Sequence, residues 1–333
     1  MIFEEYNNYK FLILSLIVII QTLLLLNFRN QIAKYFKIFD VPNNRKIHKN
    51  PVPLLGGICF YSFLLILLTN NLINGHLLIT KFITLAVIYS VFFLVGLFDD
   101  IKTLSAKTRT IIIVFSALIL LFFDKEFLLT ELNFKTTELT IQLNQFSFIF
   151  TLFCIFSLYN ALNFIDGYNG SATSIIIFWN LFLFFSNPSD IYLISTFVSV
   201  LIFFYNLSGK IFLGNSGTSL FAIFFSLSFI SEHNSQFLFA DEILFLLLLP
   251  GLDMIRVTTE RLKESKKIYN PDKTHLHHYL IKSNFKYIWQ FIFLLTILPI
   301  SILYLTDKII FTLLVNILIY ILILMFLKKD DEK

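Results

Sequence analysis

Long apolar runs separated by short polar segments dominate the chain. They fall at about 11–27, 55–73, 80–98, 110–123, 146–162, 172–186, 190–207, 217–231, 236–254, 286–306 and 308–327. A bilayer core about 30 Å thick is crossed by roughly 20 residues of helix. Backbone polar groups in lipid must be satisfied within the segment, so helix is the expected form. Breaks at Asn187-Pro188 and at Asp307-Lys308 divide two otherwise continuous apolar stretches. The predicted fold is an all-α integral membrane bundle of ten to eleven transmembrane helices, a single polytopic domain over residues 1–333.

Composition strengthens this reading. Hydrophobic residues make up 57% of the chain and charged residues only 14%, against about 25% charged in soluble proteins. That is too little charge for a water-facing surface of this size. Cys59 and Cys154 sit inside apolar runs and read as small hydrophobes. Glu4, Glu5 and Lys10 precede the first run, and no small-residue cleavage site follows it, so 11–27 is expected to be a retained span.

The net charge of +4 matters less than its placement. Arg29, Lys34, Lys37, Arg45, Lys46 and Lys49 lie in 28–50, and Lys102, Lys107 and Arg109 in 99–109. Eight further Lys and Arg, from Arg256 to Lys286, lie in 255–287. Eleven spans put all three segments and the Lys328-Lys329 tail on one side. The other side receives 124–145, with Asp124, Glu126, Glu131 and Glu138. Excess Lys and Arg mark the cytoplasmic face. The N-terminus is therefore expected outside and the C-terminus in the cytosol, with 124–145 as an outward hairpin.

The unusual polar residues gather in the segments assigned to the cytosol. Asp99 and Asp100 adjoin at the end of a predicted helix, where the macrodipole disfavours negative charge. A pair there implies a counter-charge, either a metal or a nearby Lys or Arg; a solvated pair that simply ends the span is the plainer alternative. Asn160, Asn163 and Asp166 recur every three residues and so share a helix face. Gly167, Asn169 and Gly170 follow, and the glycines permit a tight turn or close approach to a ligand. Hydrogen bonding between spans is the competing explanation for the asparagines.

Phe212-Leu-Gly214-Asn215-Ser216-Gly217 opens another span and offers free N–H groups to an anion, although small residues at a span entrance are common. His275, His277 and His278 follow Asp253, Arg256 and Arg261. With several cations nearby and no partner at zinc-like spacing, a phosphate clamp is favoured over zinc. Arg45, Lys46 and His48 lie in a Pro- and Gly-bounded approach to the second span. They are candidates for phosphate binding, against nonspecific contact with lipid headgroups.

In this order the motifs resemble those of the polyprenyl-phosphate N-acetylhexosamine-1-phosphate transferases of glycosyltransferase family 4. The resemblance runs from about Asp40 to Leu280 and touches every segment assigned to the cytosol. The His-x-His-His form looks like the branch that uses UDP-N-acetylglucosamine or related sugars. The resemblance implies that undecaprenyl phosphate attacks the β-phosphorus of a UDP-N-acetylhexosamine with Mg²⁺ or Mn²⁺ as cofactor, releasing UMP. It further implies catalytic roles for Asp99, Asp100 and Asp166. Asp99 would deprotonate or orient the lipid phosphate, and Asp100, Asn163 and Asn215 would hold the cation. Substrate contacts are implied for Arg45, Lys46, His48, Arg109, Asn160, Asn169, His275, His277 and His278. Expected partners are the two substrates and bilayer lipid, with a second copy of the chain as a candidate and no nucleic acid. The expected location is the bacterial inner membrane.

Two positions depart from the family pattern. Asn169 stands where an Asp is usual, as it does in some family members, and Asn215 stands where an Asp metal ligand is expected. Asn215 predicts weaker cation binding, and it leaves an inactive scaffold as an alternative to an enzyme. A transporter is a second alternative, disfavoured because the polar groups lie at span ends rather than mid-membrane.

Overall fold

The computed structural model describes residues 8–42, 50–264 and 274–331. Every apolar run becomes helix. The chain forms α1 (Asn8–Asn27), α2 (Arg29–Phe36), α3 (Gly56–Ile73), α4 (Ile79–Ile101), α5 (Ala106–Phe123), α6 (Ser147–Ile165) and α7 (Ser171–Ser186). It continues through α8 (Asp190–Leu207), α9 (Gly214–Asn234), α10 (Ala240–Leu246), α11 (Leu248–Lys263), α12 (Leu276–Lys282), α13 (Ile288–Thr306) and α14 (Ile309–Asp331). Among the described residues eight of these are long and apolar enough to cross a membrane: α1, α3, α4, α5, α6, α8, α13 and α14. Their outer faces expose large apolar side chains, such as Ile13 on α1, Phe115 on α5 and Leu314 on α14, as a lipid-facing belt requires.

Three predicted spans fall outside those eight, each for a physical reason. α7 is only 16 residues long. α9 is too polar to face lipid and does not do so. It is buried without interruption from Ser216 to His233 and packs against α3, α4, α6 and α7. Sheathed by protein, it tolerates Ser219, Ser226, Ser228 and Ser231. The run 236–254 breaks at Leu247 into α10 and α11. Pro250 lacks the N–H that would answer the Leu246 carbonyl. The Trp179 indole N–H donates to that carbonyl instead, at 3.2 Å.

Successive membrane-crossing elements run in opposite directions, so the bundle has two distinct ends. At one end the predicted hairpin forms: β3 (Glu131–Asn133) pairs antiparallel with β4 (Thr140–Gln142), and Asp241 accepts hydrogen bonds from the backbone of Lys135 and Thr136 in its turn. At the other end β1 (Phe39–Asp40) pairs with β2 (Val52–Pro53). Phe212 N donates to Pro53 O at 2.9 Å, which ties that ribbon to the entrance of α9. Among the described residues, the α4–α5 turn and the last turns of α11 and α14, with Lys102, Arg109, Arg261 and Lys328, lie at this second end.

Candidate functional site

The site is organised around the first turn of α9. Its free backbone N–H groups favour an anion, and the protein supplies Asp100 from the end of α4. Asp100 Oδ1 accepts from Asn215 N at 2.8 Å; Oδ2 accepts from Ser216 N at 3.0 Å and from Ser216 Oγ at 2.8 Å. Such close approach needs Gly96, because a Cβ there would overlap the Asn215 backbone carbonyl. Asp99 takes a different partner. Its Oδ2 meets Arg109 Nη1 at 2.7 Å, and its Oδ1 accepts from Leu104 N at 2.7 Å. The adjacent carboxylates thus have separate counter-charges, a helix N-terminus and an arginine.

Beside this turn lies a cavity of about 700 Å³. Its wall includes Asp100, Asn163, Asp166, Asn169 and Asn215, with His277 and His278 from α12. Asn163 Nδ2 donates to Asn215 Oδ1 at 3.0 Å and reaches Thr218 Oγ1 at 3.3 Å. Asp166 terminates α6 and forms no hydrogen bond among the described residues. Burial, with Asp100 nearby, pushes its carboxyl well above the usual range. His277 lies so close over Gly167 that a Cβ at that position would overlap its ring. Burial, together with His278 and His275, holds the His277 imidazole well below its usual range. Burial thus favours the neutral imidazole over the charged form that the histidine run suggested.

Four expected site residues are placed elsewhere. Asp99 and Arg109 pair with each other outside the cavity wall. Asn160 Nδ2 donates to the Phe156 carbonyl one turn back, so its amide serves its own helix. His275 is held by Asp253, with Nδ1 to Oδ2 at 3.0 Å, and acts as the N-cap residue of α12. Arg45, Lys46 and His48 lie outside the described residues. The cavity wall also includes Asp40, Asn206, Lys286, Trp289 and Gln290, which the motif reading passed over. Of these, Asn206 had a detectable signal, a carboxamide near the end of an apolar run, as at Asn160.

The donor set suits a hard cation. Among the described residues no three His, Cys, Asp or Glu side chains cluster as a metal site. Asp100 and Asp166 do face the same cavity as the amide groups of Asn163 and Asn215. Two carboxylates, one of them without an internal partner, and neutral amide oxygens match a cation that takes its remaining ligands from phosphate or water.

A second recess, about 440 Å³, lies between α6, α9 and α10–α11. Its wall is largely apolar and includes Leu158, Ala161, Phe229, Leu248, Met254 and Ile255. The one helical bundle thus holds both an oxygen-lined cavity and an apolar recess. Residues 82–232 match the family model for glycosyl transferase family 4. The undecaprenyl-phosphate alpha-N-acetylglucosaminyl 1-phosphate transferase of Escherichia coli K12 is 25% identical over 278 residues, which cover 79% of this chain and 74% of that one. The Yersinia pestis protein of the same name is 26% identical over 77% of this chain and 72% of its own. A probable undecaprenyl-phosphate N-acetylglucosaminyl 1-phosphate transferase of Bacillus subtilis is 28% identical over 73% of this chain and 69% of its own.

Proposed function

We propose that the protein transfers N-acetylglucosamine 1-phosphate from UDP-N-acetylglucosamine to undecaprenyl phosphate on the cytosolic face of a bacterial inner membrane. The observation that carries this reading is the convergence of Asp100, Asp166, Asn163, Asn215 and His277 from four separate stretches of chain on one cavity. Transfer to a phosphate acceptor is chiefly a matter of charge neutralisation and in-line positioning. A lipid phosphate oxygen bonds to the β-phosphorus, the bond from that phosphorus to the α,β-bridging oxygen breaks, and UMP leaves with the electron pair. The basic cavity end supports a cytosolic placement, and the apolar groove accommodates the acceptor's tail.

Each residue's role follows from its surroundings. Asp100 accepts from the start of α9 and fixes that turn against α4. Asp166 is the carboxylate left free to face substrate. With Asn163 and Asn215 these two would hold a divalent cation, which neutralises phosphate charge when bound. Asp99 acts through Arg109 as a positioning residue. His277 and His278 form the wall beside Gly167.

Release of UMP by purified protein, given undecaprenyl phosphate and a panel of UDP-sugars, tests the proposal. Turnover that requires both substrates and prefers UDP-N-acetylglucosamine supports it. A folded protein that binds the nucleotide sugar without turnover would favour the scaffold that Asn215 brings to mind. Asn215→Asp adds a third carboxylate at the cation position. We expect about tenfold tighter Mg²⁺ dependence, the equivalent of about 1.4 kcal/mol. An unchanged Mg²⁺ titration would remove Asn215 from the cation site.

A further inference from the structure

Gln290 and Trp289, in the first turn of α13, have no role in the proposed chemistry, yet both line the catalytic cavity. Gln290 is the more unusual. Its Oε1 is shut off from solvent without a hydrogen-bond partner. Neither end of its carboxamide is engaged among the described residues. A buried amide left this way is costly unless something else answers it. Rotation about its last torsion turns either the oxygen or the NH₂ toward the cavity.

Trp289 stands beside it as a partly exposed plane. The indole is fixed from behind, edge-to-face on Phe203 with ring centroids 5.2 Å apart and directly over Gly170. Its N–H forms no hydrogen bond among the described residues. Lys286, one turn before, brings a cation to the same wall. A rigid aromatic plane, a two-sided amide and a cation together complement a planar group with its own –CO–NH– edge, carried on a phosphate.

We propose that Trp289, Gln290 and Lys286 form the subsite that recognises such an amide edge on the donor. The inference rests on the donor being a UDP-N-acetylhexosamine, which carries two such edges: the imide of its base and the acetamido group of its sugar. The subsite lies apart from Asp100 and Asp166 in sequence, and Trp289 stands against Gly170, which also borders Leu207.

The test is equilibrium binding of UDP, UDP-glucose and UDP-N-acetylglucosamine to full-length wild type and to Gln290→Met. Methionine keeps the bulk and removes an unanswered polar group, so thermal stability should hold or rise. If Gln290 reads the acetamido group, UDP-N-acetylglucosamine binds about 3- to 10-fold more weakly while UDP and UDP-glucose are unchanged. If it reads the base, all three weaken by the same factor. Either result supports the subsite and assigns its ligand. Trp289→Phe, which keeps a ring of smaller area, should weaken the same ligands and serves as the second variant. Wild-type affinities for all three ligands in both variants would overturn the subsite and leave the proposed function standing. Wild-type protein that binds none of the three would overturn that function, and the subsite with it.

Discussion

Asp166→Asn should abolish UMP release, by about 10³-fold or more, while leaving the protein at least as stable as wild type. The first half follows from its place as the cavity carboxylate without an internal partner. The second half follows from its proton. Burial and Asp100 raise its pKa in the fold above the ordinary value of 3.8. The folded protein therefore holds the proton to higher pH than the unfolded chain does. Stability is greatest below the ordinary value and declines as pH rises through the interval up to the raised one. At neutral pH, without a cation, burial of this carboxyl opposes folding, and Asn removes that cost. Thermal unfolding in chelator at pH 5 and pH 8, beside the UMP assay, checks both halves. A variant that is inactive because it is unfolded, or one that retains turnover, would remove Asp166 from the centre of the site.

How much of this was legible beforehand depends on the physics behind each feature. Every apolar run became helix because lipid allows the backbone few other choices. The break at Leu247 was not legible, since it depends on a proline whose orphaned carbonyl is answered by Trp179, 67 residues away in sequence. The sheathing of α9 was hidden too, because hydropathy cannot distinguish lipid neighbours from protein ones. Within the site, Asp100, Asp166, Asn163 and Asn215 announced themselves as polar groups at span ends. Trp289 and Gln290 did not, because their run begins like any other apolar segment and only the fold turns its first turn toward the cavity. Asp99, Arg109, Asn160 and His275 stand differently. Each has the right chemistry, but each spends it on a neighbour: Asp99 and Arg109 on one another, Asn160 on Phe156, and His275 on Asp253.

Asp253→Asn is expected to destabilise the protein by about 3–5 kcal/mol, the cost of breaking a buried ion pair from one side. Its carboxylate joins three elements, α11, α14 and the start of α12. On α11 it accepts from Arg256 Nη2 at 2.7 Å. From α14 it accepts the Tyr320 hydroxyl at 2.8 Å. At the start of α12 it takes His275 Nδ1 at 3.0 Å and Leu276 N at 3.2 Å. Arg256 in turn reaches the Thr274 carbonyl at 2.6 Å, Tyr320 at 3.0 Å and Glu260 at 2.8 Å. Asn keeps the shape but leaves the half-buried guanidinium of Arg256 short of negative charge. The same network sets the entry of α12, hence the position of His277 against Gly167, so the loss should be functional as well as thermodynamic. Nucleotide-sugar affinity in Asp253→Asn should fall even at temperatures where the protein remains folded. Tyr320→Phe, which removes two hydrogen bonds and no charge, should cost only about 2 kcal/mol and largely spare binding. Thermal unfolding and UDP-N-acetylglucosamine binding on both variants separate these effects. Equal losses from the two substitutions would mean that the hydroxyl contact, not the buried charge, holds α12 in place.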